Sequence, residues 1–144
     1  MLLNGAFLIL ARVSQIHVIY GSDEGSVAEA ALALFTKLKP EGGDDFSQET
    51  IDGTVSNAEE AYIACGKAIE ALQTLPFFGG GKTVWLKNTN FTGSDRTSEA
   101  ERAKEGTEAL ISCLEEGLPE DVHFLISSSA IHKGRRFYKF LNKV

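Results

Sequence analysis

The sequence of 144 residues predicts an α/β domain in which helices cover both faces of a mainly parallel sheet. Short apolar runs bounded by turn residues are typical of buried strands, and here they alternate with longer segments whose apolar residues recur at helical spacing. The length, with 43% hydrophobic and 24% charged residues, suits one domain with a sizeable core. We therefore expect residues 1–144 to form a single domain.

Four segments are predicted to be strands, and the first is the apolar run from Ile16 to Tyr20, which stops at Gly21. The predicted strands are residues 16–20, 46–51, 83–87 and 123–127. The first and last are mainly apolar throughout, as expected of strands that are buried on both faces.

Two of the predicted helices follow directly from periodicity and end signals. One extends from Ser26, after which apolar residues recur at helical spacing until Pro40. Another is predicted to open at Ser98 and Glu101, which have capping-box spacing, and to close at Gly117. Its inward face is expected to contain Ala103, Leu110, Ile111 and Leu114.

The helix between these two has the clearest boundaries. Asn57 is a suitable N-cap with Glu60 three residues later. Pro76 disfavours helical geometry at the residue before it, so the helix is predicted to end near Thr74. Its inward face is expected to hold Ala58, Ala61, Cys65, Ala68, Ile69 and Leu72.

The formal net charge of -6 conceals a basic segment at residues 132–144, which contains no acid. Its cations are Lys133, Arg135, Arg136, Lys139 and Lys143. A helix is predicted over residues 135–141, and two interpretations of it stay open: contact with nucleic acid or an acidic partner, or a solvated helix face.

Cys65 and Cys113 are too few and too distant for a disulfide framework or a zinc site, so we expect both in the core of a protein from a reducing compartment. The first ten residues are apolar but lack a basic leader and a cleavage pattern, and they are too short to span a bilayer. The sequence therefore predicts a cytoplasmic protein that does not contact the membrane.

The loop after the first strand is the default phosphate site of such a fold, and it lacks the required residues. A phosphate-binding loop starting at Gly21 would need Gly, Lys and then Ser or Thr where Ser26-Val27-Ala28 stands. Asp23 and Glu24 would also repel phosphate. Nucleotide binding is not predicted here.

A second glycine-rich segment ends in Gly81-Lys82-Thr83, like a phosphate-binding loop. The pattern requires glycine where Pro76 stands, and a helix where a strand is predicted. The histidines lack the spacing of metal ligands; they are His17, His123 and His132. We predict no catalytic site, no metal and no cofactor.

An apolar loop remains, in which Phe77 and Phe78 lie between Pro76 and Gly79-Gly80-Gly81. Neighbouring side chains of an extended segment point to opposite sides, so the pair does not easily share one core pocket. Two alternatives stay open. The two rings either enter a pocket on a partner protein or fold under the edge of the sheet.

Three segments together resemble the delta subunit of the bacterial DNA polymerase III clamp loader: Tyr20 to Glu24, Ala71 to Gly79 and Lys133 to Lys139. The resemblance spans nearly the whole chain but only the N-terminal domain of that subunit. It implies a three-layer P-loop-NTPase-like fold of the AAA+ type. In the family a small helical lid domain and a collar domain follow, and we expect residues 1–144 to contain neither.

This resemblance implies a mechanical role in replication. Delta subunits bind the ring-shaped sliding clamp, the beta subunit, and help open it for loading onto primed DNA without hydrolysing ATP themselves. Within the DNA polymerase III holoenzyme, the implied partners are the clamp, other clamp-loader subunits through the missing C-terminal domain, and DNA in the full assembly.

The resemblance also implies site residues. The family binds the clamp with a glutamine followed by two adjacent large apolar residues, which Gln73, Phe77 and Phe78 match, with Leu75 in support. The candidate contacts with DNA or a neighbouring subunit are Lys133, Arg135, Arg136 and Lys139. The sequence departs from the family pattern at Gly25-Ser26 and at Gly80-Gly81. The alternative functions are an ATP-hydrolysing motor domain and a stand-alone interaction domain.

Overall fold

The computed structural model describes residues 2–3, 6–7, 15–43, 45–74, 80–93 and 95–129. In chain order its elements are β1 (Leu2–Leu3), β2 (Ala6–Phe7), β3 (Ile16–Tyr20), α1 (Glu24–Lys37), a 3-10 turn (Asp45–Ser47), β4 (Gln48–Asp52), α2 (Ala58–Gln73), β5 (Lys82–Thr89), α3 (Arg96–Glu99), α4 (Glu101–Glu115) and β6 (Val122–Ser128). Within these ranges, no helix has the length and apolar character needed to cross a membrane.

Four of these strands form a parallel sheet in the order β3-β6-β5-β4, and β1 pairs with β2 in a separate antiparallel hairpin. Helices α2 and α4 cover one face of the sheet, where Leu72 and Leu110 join the core formed with Phe124. Helix α1 covers the other face, where Val27 packs in a cluster with Trp85. The predicted α/β fold, with helices on both faces of a parallel sheet, is confirmed.

Helix α2 agrees with its predicted boundaries. The Asn57 Oδ1 atom accepts a hydrogen bond from the Glu60 backbone N–H at 2.9 Å, and Glu60 Oε1 accepts one from the Ser56 N–H at 2.9 Å. The helix ends at Gln73 with Thr74 as its C-cap. The buried side chains of α2 are Ala61, Ala64, Cys65, Ala68, Ala71 and Leu72.

The predicted capping box at Ser98 is wrong. Helix α4 begins at Glu101, and its N-cap is Ala100, whose extended backbone separates it from the short helix α3. The Ser98 side chain lies in α3, where its hydroxyl donates to Asp95 and accepts from the Gly93 N–H at 3.2 Å. Ser98 therefore stabilises the loop before α3 instead of opening α4.

Two other predictions are modified. The strand predicted from Phe46 begins at Gln48, because Phe46 lies in the 3-10 turn with 77% of its surface exposed. Cys65 is buried, and burial raises the pKa of its thiol to about 12, whereas Cys113 only packs against the margin of the core. The helix predicted over residues 135–141 lies outside the described residues.

His17 on β3 and His123 on β6 form a stacked pair at the α1 side of the sheet, with ring centroids 5.4 Å apart. His17 Nε2 lies 3.1 Å from His123 Nδ1, so one nitrogen donates and the other accepts when both rings are neutral. Burial, and then the charge of His123, lower the pKa of His17 from 6.5 to about 4.

We therefore expect the free energy of unfolding to fall as the pH drops from about 6.5 to about 4. In this window the unfolded chain binds a proton at His17 that the folded chain does not bind, and this favours unfolding. Urea denaturation at several pH values checks this, with His17→Gln as the comparison. The variant should lose this part of the pH dependence, and parallel profiles for the two proteins would contradict the assignment.

Candidate functional site

The predicted clamp-binding segment begins at the end of α2, at the amino edge of the parallel sheet. Gln73 is the exposed last residue of α2, and the Thr74 hydroxyl closes the helix by donating to the Glu70 carbonyl at 2.8 Å. Strand β5 starts at Lys82, so residues 75–81 connect the end of α2 to the amino end of the sheet.

Among the predicted clamp-binding residues, Gln73 is the one that the described structure contains. Leu75, Phe77 and Phe78 lie outside the described residues. The predicted contacts with DNA or another subunit also lie outside them; these are Lys133, Arg135, Arg136 and Lys139. Their roles stay predictions, and the geometry around Gln73 is the structural information about this site.

Lys82 is a buried polar residue beside this site that sequence reasoning missed. Only 4% of its surface is exposed, and its Nζ donates hydrogen bonds to the carbonyls of Ala71 and Thr74, each at 2.8 Å. The same atom lies 3.2 Å from Glu49 Oε1 on β4. The available signal was a lysine at the first position of a buried strand that follows a helix end.

The sequence neighbours of Lys82 also make structural contacts. A Cβ atom at Gly81 would lie 2.8 Å from the Asp121 carbonyl oxygen, which accepts a hydrogen bond from the Lys82 N–H at 3.0 Å. The Thr83 hydroxyl donates to the carbonyl of Leu38, the C-cap of α1, at 2.9 Å. Gly81, Lys82 and Thr83 thus pack and form hydrogen bonds within the domain, and these contacts account for the three residues without a bound phosphate.

At the opposite, carboxyl edge of the sheet, the loop after β3 caps the N-terminus of α1. Asp23 Oδ1 accepts from the N–H groups of Gly25 at 3.1 Å and Ser26 at 3.3 Å, and the Asp23 carbonyl accepts from the Val27 N–H at 3.0 Å. The hydrogen bond from the Ser26 hydroxyl holds the pKa of the exposed Asp23 below its ordinary value. A carboxylate thus occupies amides that would bind phosphate in a nucleotide-binding relative of this fold.

A cleft of about 440 Å³ opens beside this loop. The residues that line it are Glu24, Gly25, Val27, Ala28, Thr54, Asn88, Asn90 and Ser129. The Asn90 amide is already paired with Val55, at 3.0 Å to its N–H and 2.9 Å to its carbonyl. None of these lining residues is a cation, and the described part of the chain contains no cluster of three or more metal-ligating side chains.

The parallel sheet in the order β3-β6-β5-β4, with helices on both faces, defines a doubly wound α/β domain. Residues 17–144 match the family model described as DNA polymerase III, delta subunit, and the chain belongs to that family. A comparison with curated proteins finds no match.

The fold is similar to that of a solved protein, the Bacillus subtilis DNA clamp loader delta protein, with a TM-score of 0.64 and 18% sequence identity. The match covers 91% of this chain and 36% of that protein. The chain therefore shares the fold of the matched part and spans little more than a third of that protein's length.

Replacing Gly81 by Ala should destabilise the domain by about 1–3 kcal/mol, because the new methyl group meets the Asp121 carbonyl oxygen and must displace backbone. Urea denaturation measures the change. Gly66→Ala is a matched control, since Gly66 is an exposed position of α2 where a Cβ meets nothing within 4 Å. That control should stabilise by about 0.5–1 kcal/mol, and equal effects at the two positions would contradict the packing role of Gly81.

Proposed function

We propose that this chain is a clamp-loader subunit that binds the sliding clamp through Gln73 and residues 75–78 and helps open the ring for loading onto primed DNA. The observation that carries the proposal is the exposed Gln73 at the end of α2, in a chain that belongs to the delta-subunit family. Helix α2 is a firm base for the segment, because six of its side chains are buried in the core that it shares with the sheet and α4.

In the proposed mechanism Phe77 and Phe78 enter an apolar pocket on the clamp, and Gln73 makes a polar contact at its rim. Leu75 supports the two rings. Burying a large apolar side chain contributes roughly 1.5–3 kcal/mol, so two phenylalanines are sufficient as the anchors of an interface. The energy for exposing this segment comes from other subunits of the assembly.

The proposed role does not include ATP hydrolysis by this domain. The bonds of Asp23 to the first turn of α1 occupy the amides that would bind phosphate, and Glu24 in the adjacent cleft adds negative charge. The further proposed partners are other clamp-loader subunits, through domains that follow in the family, and DNA. We assign the DNA or subunit contact to Lys133, Arg135, Arg136 and Lys139.

The double substitution Phe77→Ala/Phe78→Ala should weaken binding of the 144-residue chain to a bacterial sliding clamp by at least about thirtyfold. A thirtyfold loss of affinity corresponds to about 2 kcal/mol, the contribution of a single hot-spot residue. A central aromatic pair should contribute at least this much. Surface plasmon resonance with immobilised clamp measures the affinity, and circular dichroism checks the fold.

The matched control is Leu32→Ala, which removes an apolar side chain that is 55% exposed on α1, away from Gln73. It should bind the clamp like the wild-type chain. Unchanged affinity in a folded Phe77→Ala/Phe78→Ala variant would rule out the proposed site.

We also expect no measurable ATP binding by this chain. Isothermal titration calorimetry with ATP and Mg²⁺ should give no heat beyond that of dilution at millimolar nucleotide. A saturable signal would favour the motor-domain alternative, and it would be located by asking whether Asp23→Ala, which frees the amides of Gly25 and Ser26, changes it.

A further inference from the structure

We propose that Lys82 is a positioning residue for clamp binding, which fixes the end of α2 and thereby the direction in which the clamp-binding segment leaves the domain. The inference rests on the function proposed above and assigns that site a supporting group. It starts from an ammonium group that is buried at the base of the segment.

The contacts of Lys82 are concentrated on the last turn of α2. Carbonyls at a helix C-terminus lack the full set of partners found inside the helix. Lys82 Nζ donates at 2.8 Å to the carbonyl of Ala71, which also accepts from the Thr74 N–H at 3.4 Å, and at 2.8 Å to the carbonyl of the C-cap Thr74. A cation at this position also interacts favourably with the helix dipole. Lys82 thus provides a cation at the end of a helix whose own last turn contains no basic residue.

The bond to Thr74 has a direct consequence for the site. The Thr74 carbonyl belongs to the planar peptide group that links Thr74 to Leu75, the first residue of the segment. Because Lys82 holds this carbonyl from inside the domain, it restricts the orientation of the peptide group from which the segment starts. Thr74 has an extended backbone (φ -105°, ψ 107°), so the chain has already left the helical path here.

The third contact links the end of α2 to the sheet. Lys82 lies at the start of β5, and Glu49, whose carboxylate is 3.2 Å from Nζ, lies on the neighbouring strand β4. The Lys82 side chain is 5% exposed and that of Glu49 is 49% exposed, so the cation is buried while its acid remains in contact with water. One ammonium group therefore joins α2, β4 and β5.

Ordering of this kind favours binding. A segment that must be immobilised on the clamp loses conformational freedom, and a domain that already restricts the exit of the segment reduces this cost. A methionine at position 82 would fill the same space without bonding the two carbonyls. The lysine is thus expected to affect the affinity for the clamp beyond its effect on folding.

The test compares Lys82→Met with the wild-type chain in the clamp-binding measurement. The variant should bind about tenfold more weakly, a typical loss when one or two ordered groups must be immobilised on binding. Amide hydrogen exchange of the free protein should be faster in the last turn of α2 and unchanged in α4. Lys82→Arg, which retains a cation with several donors, should recover most of the affinity.

Three controls separate positioning from general stability. Lys87→Met removes another lysine of β5, whose ammonium lies 5.1 Å from the centre of the Trp85 ring, and it should not change clamp affinity. Ile111→Val lowers the stability of the core at α4, far along the chain from Thr74, and should lower Tm without weakening binding. Glu49→Gln keeps the two carbonyl bonds and should bind nearly as the wild type does.

The outcomes distinguish the two proposals. If the wild-type chain binds the clamp, Phe77→Ala/Phe78→Ala abolishes binding and folded Lys82→Met binds normally, the role of Lys82 is refuted while the site stands. If the Phe substitutions leave binding intact, the site itself fails and the role of Lys82 fails with it. A loss of clamp affinity in Glu49→Gln as large as that in Lys82→Met would overturn the assignment to the carbonyls.

If Lys82→Met does not fold, Lys82→Gln replaces it. The glutamine side chain is too short to bond both carbonyls, so this variant should lose clamp affinity, by less than the tenfold expected of Lys82→Met.

Discussion

Strand β5 enters the sheet through three consecutive residues, each of which contacts a different part of the molecule. Gly81 allows the chain to pass against the backbone of Asp121, in the turn before β6. Lys82 then extends to the last turn of α2, and the Thr83 hydroxyl bonds Leu38 at the end of α1. Through these contacts β5 links the ends of α1 and α2 to the sheet.

The two edges of the sheet have different chemistry. At the carboxyl edge Asp23 satisfies the first amides of α1, and the adjacent cleft contains Glu24 but, among its lining residues, no cation. At the amino edge the exposed Gln73 is followed by the segment proposed to bind the clamp. The proposed binding surface therefore begins at the edge of the sheet opposite the usual phosphate site of such folds. A substitution at one edge is accordingly expected to have little direct effect on the other.

Local patterns in the sequence predicted most of the fold. The boundaries of α2 follow from Asn57, which bonds the first turn, and from a proline three residues after Gln73. The boundary before α4 was missed because Ser98 has capping-box spacing yet bonds backward to the loop, while the extended Ala100 divides the two helices. The sequence signal at Lys82 does not identify its carbonyl partners, because these are 8 and 11 residues away in sequence and depend on how α2 packs on the sheet. Hydrophobic periodicity shows which face of a helix or strand is buried. It does not show which helix end lies beside which strand.

The buried charge of Lys82 is not explained by stability alone. Removing an ammonium group from water has a high free-energy cost, and buried ion pairs often stabilise a protein no more than well-packed apolar residues of the same volume. The gain is in specificity of geometry, since an apolar side chain at this position is compatible with several positions of the helix end, whereas two carbonyl bonds and Glu49 select one. Such selection matters most where the chain leaves the core to bind a partner. A buried lysine beside the end of α2 is therefore consistent with two requirements. The domain must fold, and the chain that follows Gln73 must start in a defined direction.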